Sequence, residues 1–277
     1  MRVLIGVGQV TAQEPEAARW VRALGMADLQ MEWMHVVAAQ TGGIWALDPM
    51  ILADFAERQA EHEARQSEAA QEHLAAASPE PVTVRVRIGH PAVELLGRAD
   101  DMQPAFIAVQ ASEKHPVQAL WLGSVARALV EGAQQSVLVT RGSAPDHPLR
   151  VVVATDHSAY VEAALAKLVA LAPRGIGRLT MVYALPESGS YVEQAQQRTQ
   201  EAALRLGEQL GLAPDTVQCR VGQGDPFPVI EAALADTDAD LLILGAKGHS
   251  LLERLTLGSV SFRCATSGSR TTLLLRV

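Results

Sequence analysis

Short apolar runs alternate with helical patterning through residues 149–277. Arg150–Thr155 (RVVVAT), Arg178–Leu185 (RLTMVYAL), Thr216–Val221 (TVQCRV), Leu241–Leu244 (LLIL) and Thr272–Leu275 (TLLL) read as strands. Helices are expected between them, near 159–171, 190–211, 226–236 and 259–267. Largely apolar strands separated by helices imply a parallel sheet covered on both faces, which is the doubly wound, Rossmann-like α/β class. Ligands of such sheets sit beyond the carboxyl ends of the strands, where the strand order reverses. The loops after the first and fourth strands are therefore the places to look.

The same pattern occurs twice. MRVLIGVGQVTA (1–12) aligns with LRVVVATDHSAY (149–160) at an offset of 148. At an offset of 135, GHPAVELL (89–96) falls on GDPFPVIE (224–231), VQASEKHPVQALWLGSVA (109–126) on LGAKGHSLLERLTLGSVS (244–261), and SVLVTR (136–141) on TTLLLR (271–276). The chain thus reads as two copies of one unit in tandem, residues 1–145 and 149–277, joined near GSAPDHP (142–148), a Gly, Ser and Pro-rich stretch suited to a linker. The first copy is longer by 13 residues, mostly around a polar helix at 50–77.

Composition narrows the function. The 277 residues are 48% hydrophobic, enough for two domains of ordinary size. No apolar run approaches the roughly 18–20 residues of a membrane span, and the amino terminus reads as a strand rather than a signal peptide. Two cysteines make no disulfide framework, so a reducing cytoplasmic setting is expected. The net charge is −8, and the first 148 residues hold most of it, with 18 Asp/Glu against 11 Lys/Arg. A chain this acidic, without basic clusters, is a poor nucleic-acid binder.

Two loops of the second copy carry candidate chemistry. After the first strand comes Ala154-Thr155-Asp156-His157-Ser158, then a helix. Ser158 suits a helix N-cap. Asp156 suits a turn, and equally a carboxylate that accepts hydrogen bonds from an adenine amino group or a ribose hydroxyl. After the fourth strand, Gly245 and Gly248 permit positive φ and leave room for a phosphate near the backbone. Gly258-Ser259 then opens the last helix, whose first amides, Ser259, Val260 and Ser261, would point outward with the helix dipole behind them. The hydroxyls of Ser259 and Ser261 are further donors to phosphate oxygens. The same glycines also fit a plain turn before a Ser-capped helix. No Gly-Lys-Ser/Thr follows them, so this is not a Walker loop.

Taken together, V-x-x-A-T-D-x-S, L-G-A-K-G-H-S and G-S-V-S, with nine residues between the second and third glycines, resemble the universal stress protein family. The match is to its nucleotide-binding branch, with the signature Gly-x2-Gly-x9-Gly-Ser/Thr at Gly245, Gly248, Gly258 and Ser259. The resemblance implies an adenine-nucleotide site for ATP, or AMP or ADP, with Mg²⁺ accompanying the phosphates. Ala154, Thr155 and Asp156 would lie against adenine and ribose, the backbone near Ala184 would bond adenine, and Leu244 and Gly245 would line the ribose side. Gly248, Gly258, Ser259, Val260 and Ser261 would hold the phosphates, with Lys247 and His249 either adding to them or facing solvent. The first copy departs throughout: Gly8 stands at Asp156, Gln110 and Glu113 at Gly245 and Gly248, and Ala126 at Ser261. It is expected to bind no nucleotide. The resemblance further implies edge-to-edge pairing of the last strands, here SVLVT (136–140) against TTLLL (271–275) within one chain, as an intramolecular pseudo-dimer open to further homodimerisation.

The leading expectation is an ATP-binding regulatory protein of stress response, with a protein partner that the sequence does not name. Alternatives are a slow ATPase or phosphotransferase at the same site, for which neither a base nor a metal-ligand pair stands out, and a nucleotide-free scaffold. Asp236, Asp238 and Asp240 alternate like a calcium loop, but Leu241 and Lys247 occupy the positions where an EF-hand needs Gly and Glu. Cys264 reads as a buried thiol, and His157 beside Asp156 is adjacency rather than a triad.

Overall fold

The computed structural model describes residues 1–38, 49–111, 122–186, 191–247 and 257–277. The first half runs β1 (Arg2–Val7), α1 (Glu16–Ala23), β2 (Gln30–Ala38), α2 (Pro49–Ala77), β3 (Thr83–Gly89), α3 (Pro91–Met102), β4 (Phe106–Gln110), α4 (Ser124–Gly132) and β5 (Ser136–Thr140). The second runs β6 (Leu149–Thr155), α5 (Ala159–Leu171), β7 (Ile176–Leu185), α6 (Val192–Gln209), a 3-10 turn at Pro214–Thr216, β8 (Val217–Gln223), α7 (Pro226–Asp236), β9 (Leu241–Gly245), α8 (Ser259–Ser267) and β10 (Thr271–Leu275). The five strands and four helices expected in the second half are all present, shifted by at most two residues at their ends.

Alternation along each strand explains the layering. On β6, Val151 and Val153 point into one core, and Val152 and Ala154 into the other. The first core receives α1, α5, α6 and Leu74 of α2, and the second receives α3, α4, α7 and α8. With both faces covered, the central strands β1, β4, β5, β6, β9 and β10 carry few polar side chains, which is why they read as continuous apolar runs, whereas the outer strands β2, β3, β7 and β8 keep several. Among the described residues no helix is long and apolar enough to cross a membrane.

The strands form one ten-stranded sheet in the order β3-β2-β1-β4-β5-β10-β9-β6-β7-β8. Each half is wholly parallel and switches direction at its first and fourth strands. The halves meet in one antiparallel pair, β5 with β10, where Val137, Leu138 and Val139 face Leu274, Leu273 and Thr272. The pairing of 136–140 with 271–275 is thus present. Leu138 and Leu273 are equivalent positions of the repeat and face each other, so a pseudo-two-fold axis passes between them. The same axis brings α4 onto α8, where Arg127 lies 5.2 Å over the ring of Phe262, again its repeat equivalent.

Polar contacts across the seam obey the same symmetry. The backbone N–H of Arg141 donates to Thr271 Oγ1 at 2.9 Å, and that of Arg276 donates to Ser136 Oγ at 3.0 Å. Arg141 Nη2 donates to Ala265 O near the end of α8, at 2.6 Å, and Arg276 Nη2 donates to Val130 O near the end of α4. Each half therefore sends one arginine to the carboxyl end of the other half's last helix, where the dipole is negative. Burial pulls both guanidinium pKa values down, and the carbonyl contacts offset part of that cost. A second meeting point joins α1 to the α5–β7 loop, where Gly175 N donates to Leu24 O at 2.9 Å. A Cβ at Gly175 would lie 1.9 Å from Ala23 O, so only glycine fits there.

Two substitutions test this seam. Arg276→Ala removes a charge-assisted hydrogen bond worth about 1.5–3 kcal/mol and should lower the urea midpoint accordingly. Gly175→Ala should lower it by at least the ~1–3 kcal/mol typical of overpacking. A change in either below about 0.5 kcal/mol, the scatter of ordinary surface substitutions, would remove that contact from the list of constraints.

Candidate functional site

β6 and β9 lie side by side, with Ala154 opposite Leu244. The chain leaves β6 for α5 on one face of the sheet and leaves β9 for α8 on the other. Connections that diverge in this way open a crevice at the carboxyl ends of the two strands.

One wall is the β6–α5 turn, built from consecutive side-chain caps. Thr155 Oγ1 accepts from His157 N at 2.9 Å, Asp156 Oδ1 from Ser158 N at 2.9 Å, and Ser158 Oγ from Val161 N at 3.2 Å. The chain passes through a left-handed residue, His157, with φ of 57°. That conformation is uncommon for a non-glycine residue, and its surroundings hold it. His157 is buried, its ring stands edge-on to Tyr183 with centroids 5.0 Å apart, and Nε2 lies 3.0 Å from Thr199 Oγ1. Thr199 gives its hydroxyl proton to Ala195 O, so His157 Nε2 carries the proton in this contact. Arg198 Nη2 donates to the His157 carbonyl at 3.3 Å. Asp156 is half-buried, with Oδ1 held by the turn's own backbone. Ala184 lies on β7, next to Tyr183, which pairs with Thr155.

The opposite wall is the end of β9 and the start of α8. Leu244 and Gly245 are buried, and Lys247 is half-buried with Nζ 6.0 Å from the centre of the Tyr160 ring. Gly258 N donates to Ala246 O at 2.8 Å and Ser261 Oγ donates to Gly245 O at 2.7 Å, which staples the helix start to the strand end. Gly258 is the N-cap of α8 and brings no side-chain acceptor. Among the described residues no acceptor meets the N–H groups of Ser259, Val260 or Ser261. By contrast, α5 and α7 satisfy one such group each with Ser158 and Asp225. Ser259 is exposed beside these amides.

The structure revises two expectations. Gly245 does not have positive φ: it is the last residue of β9, and it is needed for space. A Cβ there would sit 3.1 Å from Val161 Cγ2 and 3.3 Å from Tyr160 Cδ1 and Lys247 O. The Ser261 hydroxyl gives its proton to Gly245 O, so Ser261 offers the crevice its backbone N–H rather than its hydroxyl. Gly248 and His249 lie outside the described residues. Tyr160 is a crevice residue that the loop motifs did not single out, and the only signal for it was that the repeat sets it opposite Ala12.

The first half differs at the equivalent crevice. Gly8 leaves open space where Asp156 stands, Gln110 ends β4 where Gly245 ends β9, and Ala126 removes the counterpart of the Ser261 staple. Glu113, which aligns with Gly248, lies outside the described residues.

The model of the universal stress protein family matches residues 1–141 and again 149–276. Among solved structures, a universal stress protein from Archaeoglobus fulgidus superposes with a TM-score of 0.65 at 17% identity, covering 99% of this chain and 98% of its own. A candidate universal stress protein from Pseudomonas aeruginosa UCBPP-PA14 gives 0.68 at 14% identity, with coverage of 99% and 92%. At these identities the superpositions speak for the fold. Among curated proteins none matches by sequence.

The two serines at helix starts should separate. Ser158→Ala loses a cap and should cost about 1 kcal/mol in urea unfolding. Ser259→Ala, exposed and outside the cap, should cost less than about 0.5 kcal/mol. A reversed order would mean that the α8 start is built for the fold alone.

Proposed function

The chain belongs to the universal stress protein family, and from that premise we propose that it is a cytoplasmic, ATP-binding regulatory protein of stress response whose second half alone holds nucleotide. The observation that carries this reading is the start of α8: three N–H groups without an acceptor among the described residues, backed by a helix dipole, on the connection that follows β9, the strand beside β6, which leads into Asp156. Backbone amides at a helix start are a general solution for phosphate.

In this reading Ala154, Thr155 and Asp156 take adenine and ribose, with backbone bonds near Ala184, and Leu244 and Gly245 line the sugar. The amides of Ser259, Val260 and Ser261, the Ser259 hydroxyl and the close approach allowed by Gly248 and Gly258 take the phosphates, with any Mg²⁺ outside them. The family motif assigns Lys247 and His249 to the phosphate end. The first half, with Gly8, Gln110 and Glu113 at the corresponding places, serves as an internal partner. Nucleotide occupancy then stiffens the β6–α5 turn against the α8 start and alters the surface offered to a protein partner.

Calorimetric titration tests this directly. ATP should bind the wild type at one site per chain, and Gly248→Glu, which imports the first half's Glu113, should weaken binding at least about tenfold, or roughly 1.4 kcal/mol. Two sites per chain, or an unchanged affinity in the variant, would overturn the reading.

A further inference from the structure

The amino ends of the second half's strands, at the opposite end of the sheet from the crevice, hold a second concavity. It has a volume of about 250 Å³ and lies between β6, β7, β8 and the end of α7. This is below the ~300–1,000 Å³ of drug-sized pockets, so it suits a small ion or organic acid rather than a nucleotide. Its walls include Arg150, Arg178, Thr180, Gln218 and Arg220. A more open groove continues it past Arg178 to His147 and Pro148.

The first half shows what this place accommodates. There Glu32, on β2, is buried, and its carboxylate takes Arg98 Nε at 2.7 Å and Nη2 at 2.6 Å, together with Arg85 Nε at 2.9 Å. Burial opposes ionisation, yet the hydrogen bonds from Arg98 and Arg85 hold the Glu32 carboxyl below its ordinary value. Equivalent registers put Thr180 where Glu32 stands: Leu4 pairs Glu32 and Val152 pairs Thr180. Arg220 stands at the place of Arg85, Ala233 at Arg98 and Arg178 at Gln30. The second half has thus lost its internal carboxylate, kept one of the arginines that held it and gained another at the rim.

The remaining charges are only partly matched. Arg150 and Arg178 are direct cross-strand neighbours, an unfavourable placement for two like charges. Asp240 and Asp238 neutralise Arg150, at 3.0 and 2.6 Å. Arg178, exposed, has no carboxylate among the described residues. Arg220 reaches sideways to Asp236 at 2.5 Å, a pair with both members open to solvent. Thr180 is 94% buried, and its hydroxyl has no protein partner among the described residues. Asp215, on the 3-10 turn, and Asp236 also line the pocket, both exposed.

We propose that this pocket is a small-oxyanion site in which a carboxylate or phosphate group occupies the place of the first half's Glu32, held by Arg178 and the Thr180 hydroxyl with Arg220 alongside. It is separate from the nucleotide crevice and does not depend on it. The two chemistries share the requirement for a compact oxyanion, and the size of the pocket limits the rest of the molecule.

The test is titration of the full chain with inorganic phosphate and, separately, with succinate, followed by calorimetry and thermal shift. Wild type should bind one anion per chain saturably. Arg178→Gln, which restores the residue of the first half at an exposed position, should weaken binding at least tenfold. Thr180→Glu, which restores the internal carboxylate, should abolish it. Saturation by succinate alone assigns a carboxylate ligand, and saturation by phosphate alone assigns a phosphate group. No saturable binding of either anion overturns the proposal. So does binding that survives Arg178→Gln, and phosphate binding that survives it but disappears in Gly248→Glu belongs to the crevice.

Discussion

Everything in this molecule is arranged around one antiparallel strand pair. β5 and β10 are the last strands of their halves, and each would otherwise expose a row of unpaired backbone groups along a flat apolar edge. Pairing them satisfies both edges at once and makes the two cores continuous, one on each face of a ten-stranded sheet. Because Leu138 meets Leu273, the halves are related by a two-fold, and the contacts around that pair inherit it: the arginines that reach across to Val130 and Ala265, the hydroxyls of Ser136 and Thr271, and the stacked Arg127 and Phe262. A parallel junction would have offered no such reciprocity.

Within that symmetric frame the halves differ where chemistry is concerned. At the carboxyl ends of the strands the second half has a rigid acidic turn, a glycine-walled strand end and an uncapped helix start, while the first half has Gly8 and Gln110. At the amino ends the first half is closed by its own Glu32, and the second half is open. Several positions that face the two concavities differ between the copies, with Asp156, Gly245, Thr180 and Arg178 standing against Gly8, Gln110, Glu32 and Gln30, whereas Arg220 repeats Arg85 and Gly258-Ser259 repeats Gly123-Ser124.

Much of the fold was legible because strands covered on both faces must be apolar throughout, which makes runs such as Leu241–Leu244 hard to mistake. The helix ends were legible where a residue caps them, as Ser158 does for α5. The site was legible as motif but less so as geometry. Glycine at 245 was read for its backbone freedom and for the room it leaves a phosphate, whereas the packing of Val161 and Tyr160 against it is a tertiary fact that no local pattern encodes. The Ser261 hydroxyl turned inward for the same reason: it lies one turn into a helix whose axis only the fold determines. The aspartates at 236, 238 and 240, which resemble a cation loop, serve Arg150 and Arg220, partners that lie 16 to 90 residues away along the chain.

The seam lies within a single polypeptide. Two identical chains joined by such an edge must carry identical sites, and any substitution that alters one alters both and strikes the interface twice. Here β5 and β10 are encoded separately, and their encounter is unimolecular, independent of how much protein is present. The joint is then free of the demand that both sides remain the same. One half can keep the edge, the arginine and the helix end that its neighbour requires, and change everything else.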